Sequence, residues 1–566
     1  MDNKLEKVRH SAAHLLAHAI SQLYPGTKFT IGPATETGFF YDFLPTTNLK
    51  EEDLTKVEQR MRELAEKNIP LTHKQISKEE ARKLFKDNPF KLELIDGIPE
   101  ETVGLAEQAE FYDLCRGGHV ASTGELKAFK LTGLSGSYWR ADKKNAPLQR
   151  ISGIAFVTEK DLRVYEKQRE EALKYDHRKL GREMDLFSFQ AEGIGFPFYH
   201  PKGQIVINAL KDFMRGLLKQ HNYQEICTPT MLSDELWKRS GHWAHYKENM
   251  YFSHIDEETY AIKPMNCPGA FLIYNNRPRS YRELPLKLSE FGHVHRHELS
   301  GVLHGLLRVR AFTQDDAHIM CTHDQLEQEI TSGLQLVKTM LQKTGFSAMH
   351  VSLSTKPANA MGEDALWEKA TNALKSALEK NNIEYTLKPG EGAFYGPKIE
   401  IGIEDSLGRK WQTGTIQVDF FQPENFDLTY VATSGQKERP VVVHQALYGS
   451  LDRFFAILLE HHKGHLPFWL APEQARVLTI TDDQKAYAQT VVDALKKVNV
   501  RVELDTATDP ISGKIKSAQL DRVPWMLVVG AKEVEAGTVT LRHTDGKQEF
   551  GIKVDDIVKR AQELNS

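Results

Sequence analysis

The sequence predicts a multidomain α/β protein whose central part holds a mostly antiparallel sheet with helices. The chain has 566 residues, a length that suits roughly three or four domains. From Gly193 onward extended and helical patterns alternate, and neither glycine-rich fingerprint of the parallel nucleotide-binding folds occurs. Beyond Trp469 the patterns follow the order β-α-β-α-β, which predicts a small C-terminal α/β domain.

Composition excludes several classes of protein. The 73 basic and 77 acidic residues give a net charge of −4, so nucleic-acid binding would have to come from local basic patches. The 4 cysteines form no CxxC pair and the first residues lack an apolar signal core, so we expect a reduced, cytoplasmic protein. The absence of a long apolar run predicts no membrane partner.

The segment Phe291–Cys321 is rich in arginine and histidine, and two extended patterns in it flank a glycine-containing loop. This arrangement predicts an antiparallel hairpin with a long loop. Arg296 and Arg308 could each bind a phosphate of one nucleotide, because guanidinium groups suit bidentate phosphate binding. Phe312 could stack on the base. The alternative is that these arginines are solvated strand residues.

Two histidine-containing pairs stand out near the N-terminus. Residues 1–25 have helical periodicity, which places His10 and His14 on one helix face. Cys115 and His119 form a second pair in a glycine-rich loop. Together they could bind a metal ion or hold a water molecule. Ordinary surface histidines are the alternative.

Three further candidate ligands are widely separated in the sequence. Cys267 lies between turn-forming residues, whereas His318 and His444 lie in extended patterns. A cysteine and two histidines would suit zinc and would leave a coordination position open. A buried structural cysteine and two core histidines are the alternative.

The motifs carry a family resemblance from about residue 5 to the C-terminus. Arg296-His297-Glu298 with Arg308 and Phe312 resembles motif 2 of the class II aminoacyl-tRNA synthetases. The segment FTQDDAH, residues 312–318, is similar to the threonyl-tRNA synthetase family. Residues 449–453 resemble motif 3, and residues 222–229 resemble motif 1, the family's dimer interface. HSAAH and DLCRGGH together resemble the editing domain of threonyl- and alanyl-tRNA synthetases.

The resemblance implies a domain order and an assembly. We expect an α+β editing domain at 1–157, a linker helix at 158–184, a class II catalytic domain at 185–467 and an anticodon-binding domain at 468–566. The expected form lacks the small ubiquitin-like domain that many family members carry before the editing domain. The expected assembly is a homodimer.

The resemblance also implies an activity: ATP-dependent ligation of threonine to tRNA(Thr). Mg²⁺ would accompany ATP, and each subunit would hold one Zn²⁺ on Cys267, His318 and His444. The implied catalytic residues are Arg296, Arg453 and His242, where His242 has a possible role in proton transfer. The implied ATP-binding residues are Arg296, Glu298, Arg308, Phe312, Gln412 and Arg453. The implied threonine-binding residues are Met265, Gln314, Asp316, Tyr395 and Gln417.

A second, hydrolytic site is implied for the N-terminal region, where serine mischarged onto tRNA(Thr) would be removed. Its implied residues are His10, His14, Tyr41, Lys91, Asp113, Cys115 and His119. For Cys115 we favour a wall or water-positioning role over a nucleophile or metal ligand. Glu533 and Arg542 match positions that read anticodon bases in the family. Residues 506–510, TATDP, depart from the family's common pattern, which leaves the details of anticodon reading open.

Two other functions compete with this interpretation. One is an RNA-binding regulator that descends from a synthetase and has an inactive catalytic site. The other is a class IIa synthetase for a different amino acid, such as proline or serine. The retained motif arginines argue against the first, and the Cys-His-His set with the editing motifs argues against the second.

Overall fold

The computed structural model describes residues 3–35, 37–142, 144–358, 360–404 and 410–565. The chain divides into two compact units, Met1–Glu170 and Glu171–Ser566. In the described parts no helix is both long and apolar enough to cross a membrane.

The N-terminal unit is an α+β structure with one four-stranded and one three-stranded sheet. The four-stranded sheet has the order β1-β2-β7-β6 and the three-stranded sheet the order β3-β4-β5. The elements are α1 Asn3–Leu23, β1 Lys28–Phe29, β2 Phe39–Leu44, α2 Asp53–Glu66, β3 Thr72–Ser77, α3 Lys78–Leu84, α4 Pro89–Asp96, β4 Thr102–Gln108, β5 Phe111–Leu114, β6 Ala128–Tyr138, β7 Pro147–Phe156 and α5 Glu159–Lys174, which crosses the unit boundary.

Helix α1 confirms the predicted N-terminal helix and forms the centre of this unit. Its apolar residues, among them Val8, Leu15 and Leu16, are buried against the aromatic side chains of β2. His14 is also buried, whereas His10 is only half-buried. The core therefore fixes the helix so that this histidine pair points toward the loop after β5.

The second unit begins with the elements of the eight-stranded central sheet, of three smaller sheets of two or three strands, and with the helices between them. They are α6 His177–Glu183, β8 Phe187–Phe189, β9 Pro197–Tyr199, α7 Pro201–Gln220, β10 Gln224–Glu225, β11 Met231–Ser233, α8 Asp234–Arg239, α9 His242–Tyr246, β12 Tyr251–Ile255, β13 Glu258–Ile262, α10 Cys267–Tyr274, β14 Leu286–His295, β15 Ala311–Cys321, α11 Leu326–Lys343, β16 His350–Ser354, α12 Asp364–Lys380, β17 Thr386–Lys388, β18 Lys398–Glu404, β19 Lys410–Asp419, α13 Gln422–Asn425, β20 Tyr430–Val431, β21 Lys437–Glu438, β22 Val441–Ser450 and α14 Leu451–His461.

The central sheet has eight strands in the order β10-β14-β15-β22-β19-β18-β16-β17. Strands β14 and β15 form the predicted hairpin around the arginine-rich loop. All neighbouring strands are antiparallel except the β10–β14 and β16–β17 pairs at the two edges. The prediction of a mostly antiparallel sheet with helices is therefore confirmed.

Side-chain alternation divides this sheet into an apolar face and a functional face. Ala317, Ile319 and Val443 belong to the main core, together with residues of α11 and α12. Because successive residues of a strand point to opposite faces, His318 and His444 lie on the other face. These two histidines are cross-strand partners.

The C-terminal part is an α/β structure, as its alternating pattern predicts. Its sheet has the order β24-β23-β25-β26-β27, with β23 parallel to both β24 and β25. The elements are β23 Ala475–Thr479, α15 Lys485–Lys496, β24 Val502–Asp505, α16 Ile511–Leu520, β25 Trp525–Val529, α17 Ala531–Ala536, β26 Thr538–His543, β27 Gln548–Lys553 and α18 Val554–Asn565.

Two local predictions differ from the structure. The expected single helix over 158–184 is two helices, because the Asp176 side chain accepts a hydrogen bond from the Arg178 amide and starts a new helix there. The extended pattern of PGEGAFYGPKIEI also predicts a strand over 389–401, which in the structure begins only at Lys398. The preceding residues, which include three glycines, form turns instead.

Candidate functional site

A cavity of about 350 Å³ opens on the functional face of the central sheet. Its wall contains every predicted ATP-binding, threonine-binding and zinc-binding residue: Met265, Cys267, Arg296, Glu298, Arg308, Phe312, Gln314, Asp316, His318, Tyr395, Gln412, Gln417, His444 and Arg453. Phe312, Gln314, Asp316 and His318 alternate along β15, which explains why all four side chains reach this face.

The motif 2 arginines are held at the two ends of the long loop. The guanidinium of Arg296 donates to the Pro264 carbonyl at 3.2 Å and lies 5.1 Å from the centre of the Phe312 ring. Arg308 pairs with Glu298 at 3.1 Å. The loop therefore presents two positive charges and an aromatic ring to one cavity.

A third arginine enters from the helix after β22. Arg453 stands in the first turn of α14 and donates to the Leu307 carbonyl at 3.0 Å and the Gln412 carbonyl at 3.1 Å. Burial lowers the pKa of Arg453, and the neighbouring Arg296 and Arg308 lower it further. Three mutually repelling cations held in one cavity would favour a polyanionic ligand.

Cys267, His318 and His444 have ligand atoms within 4.8 Å of one another, and all three residues are buried. The Nε2 atom of His318 is buried without a hydrogen-bond partner among the described residues. Burial raises the pKa of the Cys267 thiol well above its ordinary value. An orphaned imidazole nitrogen beside a desolvated thiol fits a zinc ion, which would take the thiolate and both rings as ligands.

Two carboxylates and an amide support this group, and sequence reasoning missed two of the three residues. His444 Nε2 lies 2.9 Å from Asp419 Oδ2, which is the carboxylate–histidine arrangement that orients metal ligands. Asn266 donates to Asp316 at 3.1 Å. The available signal was an acidic residue, Asp419, at the end of the extended pattern WQTGTIQVD.

His242 is the predicted catalytic residue that lies behind the cavity wall. It is 0% exposed, its Nδ1 is 2.7 Å from Ser240 Oγ, and its Nε2 is 2.9 Å from the Met265 sulfur. Burial, followed by nearby positive groups, lowers the pKa of His242 to about 3. The ring is therefore neutral at ordinary pH, and its role in proton transfer stays a prediction.

The N-terminal unit holds a second cavity, of about 700 Å³. Six of the predicted editing residues line it: His10, His14, Tyr41, Lys91, Asp113 and Cys115. The seventh, His119, lies against the Cys115 sulfur at 3.0 Å, and its other nitrogen is 3.3 Å from Ser11 Oγ. Sequence reasoning missed Ser11, which sits between the two predicted histidines in HSAAH.

Four nitrogen and sulfur ligand atoms meet at this site. His10 Nε2 lies 3.3 Å from His14 Nε2 and 3.6 Å from Cys115 Sγ. With His119 these residues form a group whose ligand atoms lie within 4.8 Å of one another. Burial raises the pKa of Cys115 to about 11, so the thiol stays protonated at neutral pH. A protonated thiol is a poor nucleophile.

Asp113 is the centre of a buried network beside these histidines. Its carboxylate accepts from the Tyr41 hydroxyl and pairs with Lys91, and His14 Nδ1 lies 3.4 Å from Asp113 Oδ2. Burial lowers the pKa of His10 and His14, and it lowers that of His119 to about 4. The three histidines are therefore neutral near pH 7 and can each accept a proton.

The two predicted anticodon residues lie in neighbouring elements of the C-terminal part, Glu533 in α17 and Arg542 in β26. Glu533 in α17 accepts from the Thr540 hydroxyl at 2.9 Å, and Arg542 lies two residues further along β26, on the same face. Both side chains are half-buried. Their contact with RNA stays a prediction.

Three segments match known families. Residues 251–462 match the tRNA synthetase class II core domain (G, H, P, S and T), and residues 474–564 match the anticodon binding domain. Residues 103–152 match the threonyl and alanyl tRNA synthetase second additional domain.

Relatives match over nearly the whole chain. A threonine–tRNA ligase of Carboxydothermus hydrogenoformans is 49% identical over 569 residues, covering 99% of this chain and 90% of the relative. One from Acetivibrio thermocellus is 51% identical, covering 98% of this chain and 88% of the relative. The crystal structure of the RNA binding domain of threonyl-tRNA synthetase from Cryptosporidium parvum is 41% identical, with a TM-score of 0.66, covering 69% of this chain and 98% of that chain. This chain therefore belongs to the threonine–tRNA ligase family, with a class II synthetase core.

Proposed function

We propose that this chain uses ATP to join threonine to the 3′ end of tRNA(Thr), and that it hydrolyses seryl-tRNA(Thr) at a second site. One observation carries the synthetic part of the proposal. Three arginines and a cysteine–histidine group share one cavity, so a polyanionic nucleotide and a small polar substrate can be bound side by side. The family membership supports the same activity.

The first step is threonine activation. A carboxylate oxygen of threonine attacks the α-phosphorus of ATP, the bond to the β-phosphate breaks, and pyrophosphate leaves. Such chemistry depends mainly on positioning and charge neutralisation. Arg296 neutralises the charge that builds at the α-phosphate, while Arg308 and Arg453 hold the outer phosphates of ATP, which arrives with Mg²⁺. Phe312 stacks on the adenine, and Glu298 and Gln412 orient it.

The second step transfers the threonyl group to tRNA. A terminal ribose hydroxyl attacks the threonyl carbonyl carbon, the bond to phosphate breaks, and AMP leaves. The unprotonated His242 is available to accept the hydroxyl proton here, as a weak base because its pKa is low. Because its ring lies behind Met265, this role requires the Met265 side chain to move aside.

Recognition of threonine rests on its hydroxyl. Hydrophobic pockets separate isosteres such as valine and threonine by only about 10²-fold, whereas sites that require a hydroxyl reach about 10⁴–10⁵-fold. When bound to Cys267, His318 and His444, zinc supplies open coordination positions for the amine and hydroxyl of threonine. Asp316 accepts the hydroxyl proton. Met265, Gln314, Tyr395 and Gln417 form the remaining wall.

Serine carries the same hydroxyl, so recognition of the hydroxyl does not exclude serine, and a second site is needed to remove it. Loss of one methyl group changes binding by only about 1–3 kcal/mol. In the N-terminal cavity, a water molecule held by His10 and His14 attacks the carbonyl carbon of the seryl ester. A histidine accepts the water proton and returns it to the ribose oxygen as the ester C–O bond breaks and serine is released. Asp113 and Lys91 orient the substrate amine and RNA end, and Cys115 narrows the wall.

The proposal extends to two partners. The tRNA would bind its anticodon at the C-terminal part, where Glu533 of α17 contacts Thr540 on the face of β26 that also carries Arg542. A second copy of the chain would bind at the motif 1 region, formed by α7 and the edge strand β10. Both statements rest on family resemblance and on the location of these elements.

Pyrophosphate exchange tests the synthetic activity. With each of the twenty amino acids supplied in turn, threonine should support ATP–pyrophosphate exchange well above the others, with weaker exchange from serine. Arg296→Ala should abolish exchange without unfolding the protein, whereas removal of the exposed Arg282 should change little. A folded, active Arg296→Ala variant would contradict its assignment, and preference for another amino acid would contradict the proposed substrate.

A further inference from the structure

A buried histidine–glutamate pair lies behind the nucleotide-binding loop. His177 is the first residue of α6, and Glu460 lies near the end of α14; their exposed fractions are 0% and 3%. His177 Nδ1 lies 2.8 Å from Glu460 Oε1, and the His177 backbone N–H donates to the same oxygen at 3.2 Å. Neither residue belongs to the cavity wall described above.

Hydrogen bonding fixes the tautomer of this ring. The backbone N–H of Leu306 donates to His177 Nε2 at 3.1 Å, so Nε2 carries no proton in the neutral ring and Nδ1–H faces Glu460. Both ring nitrogens are therefore engaged. Although Asp176, His177 and Glu460 have ligand atoms within 4.8 Å of one another, this arrangement leaves no free imidazole nitrogen for a metal ion.

The ring packs directly on the motif 2 loop. Gly305 has a φ of +49°, and a Cβ atom there would lie 2.1 Å from His177 Nε2. The next two residues, Leu306 and Leu307, are buried. Packing and a hydrogen bond thus fix the buried side of the loop, whereas Arg308, the residue after Leu307, is exposed.

This contact leads directly to the nucleotide arginines. The Leu307 carbonyl accepts from Nε of Arg453, and Arg308 is the next residue in the chain. Arg453 and Glu460 are both on α14. A closed series of contacts therefore runs from α14 through Glu460, His177 and the Leu306–Leu307 peptide back to α14 at Arg453.

We propose that His177 is a positioning residue for ATP, held in one tautomer by Glu460. His177 fixes the Leu306 amide and thereby positions the Leu307 carbonyl, which orients Arg453. His177 also fixes the position of the backbone just before Arg308. The inference rests on the proposed function, because it assigns these arginines to ATP. Its effect is confined to nucleotide binding and alignment and does not extend to threonine recognition.

Two substitutions of similar size test the proposal. In His177→Gln the terminal amide oxygen reaches the position of Nε2 and can still accept from Leu306. The shorter side chain in His177→Asn reaches only the position of Nδ1. We expect His177→Asn to lower kcat/KM for ATP in pyrophosphate exchange by roughly 10²-fold, the size of effect that a misplacement of about 1 Å produces. His177→Gln should recover most of this loss, and KM for threonine should stay unchanged in both.

A double-variant cycle separates positioning from general destabilisation. If His177 acts through Arg453, ATP binding measured by equilibrium dialysis should be little weaker in His177→Asn/Arg453→Ala than in Arg453→Ala alone. Three results would each overturn the proposal. They are fully additive losses of ATP affinity in the double variant, equal exchange activity in the Gln and Asn variants, and an equal loss of kcat/KM for threonine. Should His177→Asn fail to fold, Glu460→Gln, which keeps the acceptor oxygen, is compared with Glu460→Leu, and equal ATP affinities overturn the proposal. Absence of wild-type exchange would contradict the proposed function, whereas the dialysis measurements would still decide the role of His177.

Discussion

At the scale of single residues, the cysteines of the two cavities differ in the hydrogen bonding around them. Cys267 lies beside a histidine nitrogen that lacks a hydrogen-bond partner among the described residues, whereas Cys115 already contacts His119 and the Gly117 amide. A zinc ion would satisfy the orphaned nitrogen at the first site. At the second site hydrogen bonds within the protein satisfy the sulfur, which agrees with a wall or water-positioning role.

We therefore predict one zinc ion per chain. Cys267→Ala and His444→Ala should lower the zinc content after dialysis to near zero, because two ligands hold zinc much more weakly than three. The matched variant Cys115→Ala should retain one zinc, as should removal of Cys321, a buried cysteine outside the group. Elemental analysis gives the stoichiometry. Full zinc occupancy in the folded Cys267→Ala/His444→Ala double variant would refute the ligand set.

The lowered pKa values of the editing histidines predict an unusual pH profile. A general base works only when unprotonated, and an ordinary histidine loses this form below about pH 6.5. Since burial lowers the pKa of His10 and His14 and brings that of His119 to about 4, the neutral forms persist at lower pH. Deacylation of pre-made seryl-tRNA should therefore lose its catalytic base only at a lower pH than an ordinary histidine would.

The enzyme-catalysed rate, after the uncatalysed rate at the same pH is subtracted, provides the measurement. The triple variant His10→Ala/His14→Ala/Cys115→Ala is the control, and it should deacylate seryl-tRNA slowly while activating threonine normally. A tenfold fall in the catalysed rate for each pH unit below 6.5 would show that the base has an ordinary pKa. Wild-type clearance by the triple variant would place the hydrolytic site elsewhere.

At the scale of elements, one aspartate ties the motif 2 strand to the end of β22. Asp315 on β15 accepts three backbone hydrogen bonds, from Leu447, Tyr448 and Gly449, at 2.8–2.9 Å. Helix α14, which begins directly after β22, carries Arg453 to the cavity. Burial raises the pKa of Asp315 to about 7, an upward shift that these hydrogen bonds limit.

Asp315→Ala should accordingly destabilise the protein. Each buried amide left without an acceptor costs about 1–3 kcal/mol, so the loss of three acceptor contacts should total about 3 kcal/mol or more. Asp315→Asn keeps one acceptor oxygen and should lose less. Melting temperatures report the stability, and exchange activity in the folded fraction reports the position of Arg453. Equal melting temperatures for the wild type and Asp315→Ala would contradict this account.

At the scale of the whole molecule, we predict a homodimer. Strand β10 is an edge strand of the central sheet, next to α7, and Met231 beyond it is 43% exposed. Light scattering at micromolar concentration should give a mass near twice the 64.4 kDa of one chain. Glu225→Arg and Met231→Asp should weaken association, whereas Phe550→Asp, on the exposed β27, should not. A monomer mass for the wild type would contradict the prediction.

The sequence by itself determined the family, through its motifs, and the family resemblance implied which residues meet in each cavity. Periodicity alone determined only local arrangements: alternate strand positions face one side, as in Phe312 to His318, and residues four apart share a helix face, as in His10 and His14. These are local rules that follow from backbone geometry. The C-terminal α/β pattern was predictable for the same reason.

Only the tertiary structure decided which residues support the site from a distance. Strand register and helix packing bring Asp419 to His444, Asp315 to the end of β22 and His177 to Leu306. Tertiary structure also placed His242 behind Met265. The burial that results from packing lowers the pKa of His242 and raises that of Cys115. Desolvation and hydrogen bonding between residues far apart in the chain depend on three-dimensional packing, and the spacing of residues in the sequence does not predict that packing.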